Sequence, residues 1–156
     1  MTDGAPALPV THMDRASHTA SDEAATILIA EDNEPLRQLL FLFLEGEGFQ
    51  VLQGRNGKEA LTIAKEYVGT IDVLISDVLM PELDGAGLAV KMWELRPQLR
   101  LIVMSSFSPG TLMLEGRWRF IRKPFSPGLL IQTIREVLAQ PQVAVNGNPQ
   151  GACGAD

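Results

Sequence analysis

Five short apolar runs alternate with longer segments of helical period, and this alternation constrains the fold more than any other feature of the chain. The runs are TILIA at 26–30, FQVLQ at 49–53, IDVLIS at 71–76, LRLIVM at 99–104 and WRFI at 118–121. Each has the length and the β-branched or aromatic content of a strand. Between the first two, Leu36, Leu39, Leu40 and Phe43 recur at i, i+3, i+4 and i+7, and Gly46 and Gly48 supply a stop. Leu61, Ala64 and Val68 share one helical face, as do Leu88, Met92 and Leu95 before Pro97 ends that segment. A last helix opens at Ser126 with Pro127 behind it and carries Leu130, Ile134, Val137 and Leu138 inward, and Gln140 and Pro141 close it. The stretch SFSPGTLMLEGR, between the fourth and fifth runs, has room for little more than two helical turns between its breakers.

Strands alternating with helices, in runs apolar enough to be covered on both faces, specify an α/β domain with a parallel sheet wrapped by helices. That domain is expected over 26–140. Residues 1–25 and 141–156, polar and rich in small residues, read as disordered tails, and no repeat or second domain is evident.

Hydrophobic residues make up 46% of the 156 and charged residues 21%, a globular balance with no apolar run long enough for a membrane span. The first 25 residues lack a basic start followed by an apolar stretch, so the expected compartment is the cytoplasm. A single cysteine, Cys153, excludes an internal disulfide framework or cysteine metal cluster. With a net charge of −6 and no lysine or arginine run, direct binding of nucleic acid is disfavoured.

Parallel α/β sheets bind ligands outside the carboxyl ends of their strands, so the residues that follow each run carry the functional information. Glu31 and Asp32 follow the first, Asp77 the third, Ser105 and Ser106 the fourth, and Lys123 the fifth. Three carboxylates on one rim repel each other unless a cation sits among them, and all-oxygen donors favour a hard ion such as Mg²⁺. Asp32 and Asp77 are the expected ligands, with Glu31 acting directly or through water. A carboxylate beside Mg²⁺ can attack phosphorus, which makes Asp77 the candidate nucleophile. Ser105 can donate a hydrogen bond to a phosphoryl oxygen, and the Lys123 ammonium can neutralise another.

Taken singly, each residue also has a plain structural account. Asp32 could cap the helix near Glu34, and Asp84 is better read as the cap of the helix that follows it than as a ligand. A lone serine after a strand is usually structural, and a lone lysine before Pro-Phe is usually a solvated charge. At four strand ends of one sheet, the functional account outweighs these. His12 and His18 lie in the leading tail, so the domain has no histidine base. The GAG at Gly85–Gly87 is too short for a dinucleotide fingerprint, and Trp93 and Trp118 read as packing residues.

Together these segments resemble the receiver domain of two-component response regulators. ILIAEDNEPLRQLL resembles the family's acidic-pair strand and first helix, DVLISDVLMPELDG its phosphoacceptor segment, LIVMSS its switch strand and RKPF its lysine-proline motif. The resemblance implies a flavodoxin-like, doubly wound five-stranded sheet of order 2-1-3-4-5. It also implies a Mg²⁺ site at Glu31, Asp32, Asp77 and the backbone carbonyl of Leu79. Asp77 would accept a phosphoryl group from a sensor histidine kinase or histidine phosphotransfer protein, with Ser105 and the aromatic Phe120 as switch positions and a cis Lys123–Pro124 bond. The apolar Leu79 and Phe107 would flank the phosphoryl group and screen it from water.

The span from Ser105 to Lys123 is shorter than the family usually shows, which implies a shortened fourth helix and leaves the usual dimer or target surface open. The output would be a changed surface for an unidentified downstream protein, with a homodimer allowed. No output segment follows Gln140, which favours a stand-alone receiver that catalyses only its own phosphorylation and dephosphorylation. Two rivals remain: a Mg²⁺-dependent phosphatase or phosphotransferase that attacks through Asp77, and a module that binds partners without being phosphorylated.

Overall fold

A computed structural model of the chain describes residues 24–80, 82–107 and 118–140. Among these residues nine elements follow in order: β1 (Thr26–Ala30), α1 (Glu34–Gly46), β2 (Gln50–Gly54), α2 (Gly57–Glu66), β3 (Val73–Asp77), α3 (Gly85–Leu95), β4 (Arg100–Ser105), β5 (Trp118–Arg122) and α4 (Pro127–Ala139). The strands form one fully parallel sheet in the order β2-β1-β3-β4-β5, the flavodoxin-like arrangement expected. The short helix expected between the fourth and fifth strands lies outside the described residues, as do the trailing tail and all of the leading one but Ala24 and Ala25.

Parallel crossovers turn right-handed, so a chain that runs from β1 outward to β2 and then back across to β3 must put α1 and α2 on opposite faces. The core divides accordingly. On one face Ile27, Ile29, Ile75, Ile102 and Ile121 pack with Leu40 and Leu44 of α1 and Leu130, Ile134 and Val137 of α4. On the other, Leu28, Ala30, Leu74, Leu101 and Val103 pack with Ala60 and Ala64 of α2 and Leu88, Ala89 and Met92 of α3. Neighbouring residues along β1 alternate between the two clusters, which is why the runs are apolar throughout rather than at every second position.

Several boundaries differ from expectation, for a common reason. Ile71 and Leu99 are buried below the ladder rather than in it, so β3 and β4 start one or two residues later than their apolar runs. At the other end Asp77 pairs with Met104 and Ser105 with Arg122. Asp77, the phosphoacceptor candidate, and Ser105, the expected switch serine, are therefore final rungs of their strands, not loop residues.

Helix faces were displaced too. Leu39 is 63% exposed, and Leu44 takes its place in the core beside Leu40. Val68 lies beyond the end of α2 and is exposed, and Leu95 is 43% exposed while Ala89 is buried instead. Asn33, not Asp32, caps α1 by accepting from the Leu36 amide, which removes capping as an account of Asp32. Asp84 and Ser126 cap α3 and α4 as expected. Gly48 stands at φ +91 where the Gly48 and Phe49 amides fold back on Glu45 and Leu44, a left-handed turn that glycine makes without strain.

Candidate functional site

The strand order reverses direction between β1 and β3, and that reversal opens a crevice at their carboxyl ends. Glu31 and Asp32 leave β1 on one side of it, and Asp77 ends β3 on the other. One carboxylate oxygen from each of the three residues lies within 4.8 Å of the others. Lys123 reaches in from beyond β5. Its backbone amide is fixed to the Ser105 carbonyl at 2.8 Å, continuing the ladder past the last rung. Its ammonium then donates to Glu31 Oε2 at 2.9 Å and to Asp77 Oδ2 at 2.8 Å. The Lys123–Pro124 peptide bond is cis, as expected.

The Asp77 carboxylate is held on both sides, because Oδ1 accepts from the Leu79 amide at 3.3 Å. Its backbone is held as well. The Val78 amide donates to the Met104 carbonyl, and the Gly85 amide folds back onto the Val78 carbonyl. A Cβ on Gly85 would stand 2.5 Å from the Asp77 carbonyl oxygen, so only glycine lets α3 begin this close to the phosphoacceptor candidate. The first glycine of GAG, set aside as a nucleotide signal, thus has a packing role at the site.

Three carboxylates face one ammonium. Glu31 is fully buried, and that burial holds its carboxyl above the usual range, with Lys123 and the Asn33 amide pulling it part way back. Burial lowers the Lys123 affinity for its proton, but its bonds to Asp77 and Glu31 outweigh this and raise it above the ordinary lysine value. Lys123 is therefore a fixed cation across the physiological range. All-oxygen donors at this separation, on a crevice only partly neutralised, fit a hard divalent cation.

Ser105 and Phe120, the expected switch positions, lie on the neighbouring strands β4 and β5. Ser105 is buried, and its hydroxyl accepts from the Phe107 amide at 3.0 Å, which leaves its proton to donate. Phe120 packs beside Trp118 on the α2/α3 side of the sheet. Leu79 and Phe107 are 61% and 66% exposed. Trp93 packs on the same cluster and donates from its indole to the Leu99 carbonyl.

Sequence reasoning missed Arg37. It is buried, and Nη1 donates to the Glu31 backbone carbonyl at 2.9 Å. The available signal was its phase, since Arg37 shares a helical face with Leu40 and Leu44.

Known proteins place this arrangement. Residues 27–135 match the family model described as the response regulator receiver domain. Over 136 residues the chain is 32% identical to the sensor kinase CckA of Brucella abortus, a match covering 83% of the chain and 14% of the kinase. It thus corresponds to a small part of that relative. The crystal structure of the receiver domain from the hybrid histidine kinase CckA superposes with a TM-score of 0.66 at 33% identity, covering 73% of this chain and 99% of the other. The response regulator protein TrrA from Thermotoga maritima, in complex with Mg(2+)-BeF, gives 0.64 at 25% identity, covering 73% and 99%. With the motifs, the sheet order and these similarities in agreement, the chain belongs to the response regulator receiver domain family of two-component systems.

Proposed function

We propose that Asp77 accepts a phosphoryl group from a phosphohistidine on a sensor kinase or phosphotransfer protein, and that the resulting change of surface is the signal. The observation that carries this is the Asp77 carboxylate, pinned by Lys123 on one oxygen and the Leu79 amide on the other, within 4.8 Å of the Glu31 and Asp32 oxygens. Asp32 and Asp77, with the Leu79 carbonyl, would hold Mg²⁺, and Glu31, already bonded to Lys123, would act beside them. The bound ion supplies neutralisation of charge on the transferring phosphoryl oxygens.

In the transfer an Asp77 oxygen forms a bond to phosphorus while the phosphorus–nitrogen bond of the donor imidazole breaks, and the imidazole leaves with that electron pair. Lys123 keeps its proton and gives its charge to the phosphoryl group. Ser105 turns its hydroxyl from the Phe107 amide to a phosphoryl oxygen, and Phe120 follows as the aromatic switch position. For the donor, an apolar groove of about 500 Å³ opens beside the site, lined by Leu36, Leu39, Phe43, Pro124, Phe125 and Leu130 and by Lys123 of the site itself. The exposed Leu39 suits a partner's apolar face there. Among the described residues no helix is long and apolar enough to cross a membrane, and we place the domain in the cytoplasm, where such donors act.

The test is intact-mass spectrometry after incubation with acetyl phosphate. A gain of one phosphoryl group that needs Mg²⁺ and is absent in Asp77→Asn is the expected result. No gain in either protein would favour a module that binds partners unphosphorylated. Acetyl phosphate consumed without an adduct would favour a phosphatase.

Leu79 and Phe107 have exposed side chains, and their amides donate to Asp77 Oδ1 and to the Ser105 hydroxyl, so they would flank the proposed phosphoryl group and keep attacking water away from it. Leu79→Asn and Phe107→Glu are each expected to shorten the phosphoform lifetime, measured by the decay of the added mass. A wild-type lifetime of seconds that neither variant changes would exclude this shielding.

A further inference from the structure

A guanidinium is expensive to bury without a carboxylate partner, and a leucine or methionine on that face of α1 would pack more cheaply. Arg37 is nevertheless 6% exposed, and none of the ion pairs among the described residues includes it. Among the described residues its guanidinium makes one hydrogen bond, to the Glu31 carbonyl at 2.9 Å, and it acts on the Glu59 carboxylate only from beyond ion-pair distance. That carbonyl belongs to the peptide joining Glu31 to Asp32, just beyond the last rung of β1, where Ala30 pairs with Gly54 and Ser76. Past that rung only the Glu31 amide still follows the sheet, donating to the Gly54 carbonyl.

The other bonds of this turn hold Asn33 and the start of α1, and leave the Glu31 carbonyl to Arg37. Glu31 Oε1 takes the Asn33 amide, Asn33 Oδ1 takes the Leu36 amide, and the Asn33 carbonyl takes the Arg37 amide. Asp32 is exposed, so the placement of its carboxylate depends on the backbone that carries it. We propose that Arg37 is a positioning residue for the acid pocket: through the Glu31 carbonyl it locks the Glu31–Asp32 peptide, and so holds the Asp32 carboxylate at the crevice before a cation arrives. This rests on the proposed Mg²⁺ site, and it adds a residue outside the ligand set on which the affinity of that site depends.

Electrostatics and positioning predict opposite signs. Removing a positive charge from beside a cation site tightens cation binding, whereas releasing a ligand's backbone weakens it. Mg²⁺ binding is measured by isothermal titration calorimetry, without a phosphodonor, on the wild type, Arg37→Met, Arg37→Lys and Arg96→Ala. The last removes an arginine remote from the site and controls for a general loss of stability.

Arg37→Met is expected to bind Mg²⁺ about tenfold more weakly, the lower end of what is lost when a group supporting a metal ligand is removed. Arg37→Lys, with the charge kept and the planar fork gone, is expected to fall between Arg37→Met and the wild type. Unchanged or tighter binding in Arg37→Met overturns the proposal, as does an equal weakening in Arg96→Ala. If Arg37→Met does not fold, Arg37→Lys decides, and wild-type affinity in it overturns the proposal. A wild type that binds no Mg²⁺ overturns the metal site itself and this inference with it.

Discussion

Lys123→Met is expected to cost the fold about 3 kcal/mol at neutral pH, the scale on which removing one partner of a buried ion pair destabilises a protein. Glu31 is fully buried and Lys123 is its only cationic partner among the described ion pairs. Without the ammonium, a carboxylate already above its usual range by burial rises further. The sign of the pH dependence follows. A carboxyl whose folded pKa is raised gives stability that is fully present below its unfolded value near 4.5 and is lost as pH climbs through the folded value. The variant should therefore lie furthest below the wild type at neutral pH, and the gap should close as pH falls toward 4.5.

Lys123 itself contributes stability present below its ordinary value of 10.5 and lost as pH rises through its raised folded value, so the gap should also close in strong alkali. Urea denaturation at a series of pH values measures this. A deficit independent of pH would locate the cost in the lost packing of the lysine stem.

Arg96→Ala is expected to cost about 2 to 3 kcal/mol, lowering the melting temperature by roughly 10 °C. The Arg96 guanidinium donates to the Ala64 carbonyl through Nε at 3.3 Å and Nη2 at 3.0 Å, to Tyr67 at 2.9 Å and to Gly69 at 2.6 Å. These carbonyls lie at and just past the carboxyl end of α2, where backbone acceptors have no helical partner and the helix dipole favours a cation. Arg96→Lys retains the charge but cannot span three carbonyls, and should recover less than half of the loss. Differential scanning calorimetry of the three proteins checks this, and equal melting temperatures would show that water replaces the clamp without cost.

The sheet was legible because strand and helix periods differ, and the site because α/β chemistry collects at strand ends. Glu31, Asp32, Asp77, Ser105 and Lys123 all stand where that rule puts them. What escaped is of two kinds. Periodicity shows that a helix has an apolar face but leaves its exact phase loose, so Leu39, Val68 and Leu95 were assigned inward and lie exposed, while Leu44 and Ala89 are in the core. Adjacent cap-forming residues, Asp32 and Asn33, are likewise separated only by the path of the chain.

The second kind is bonding from a long side chain to a distant backbone. Arg96 reaches carbonyls 27 to 32 residues earlier, and an acceptor common to every residue leaves no mark in the sequence. Arg37 was closer to view, as a charge on an apolar face, but the carbonyl it serves becomes visible only once the turn after β1 is built.

The most direct test of the central claim is to locate the phosphoryl group. After incubation with acetyl phosphate and Mg²⁺, borohydride reduces an aspartyl phosphate to homoserine, and tandem mass spectrometry of the digested protein finds the converted position. Homoserine at Asp77, absent without Mg²⁺, is the predicted result. Conversion at Asp32 or another carboxylate with Asp77 intact would contradict it.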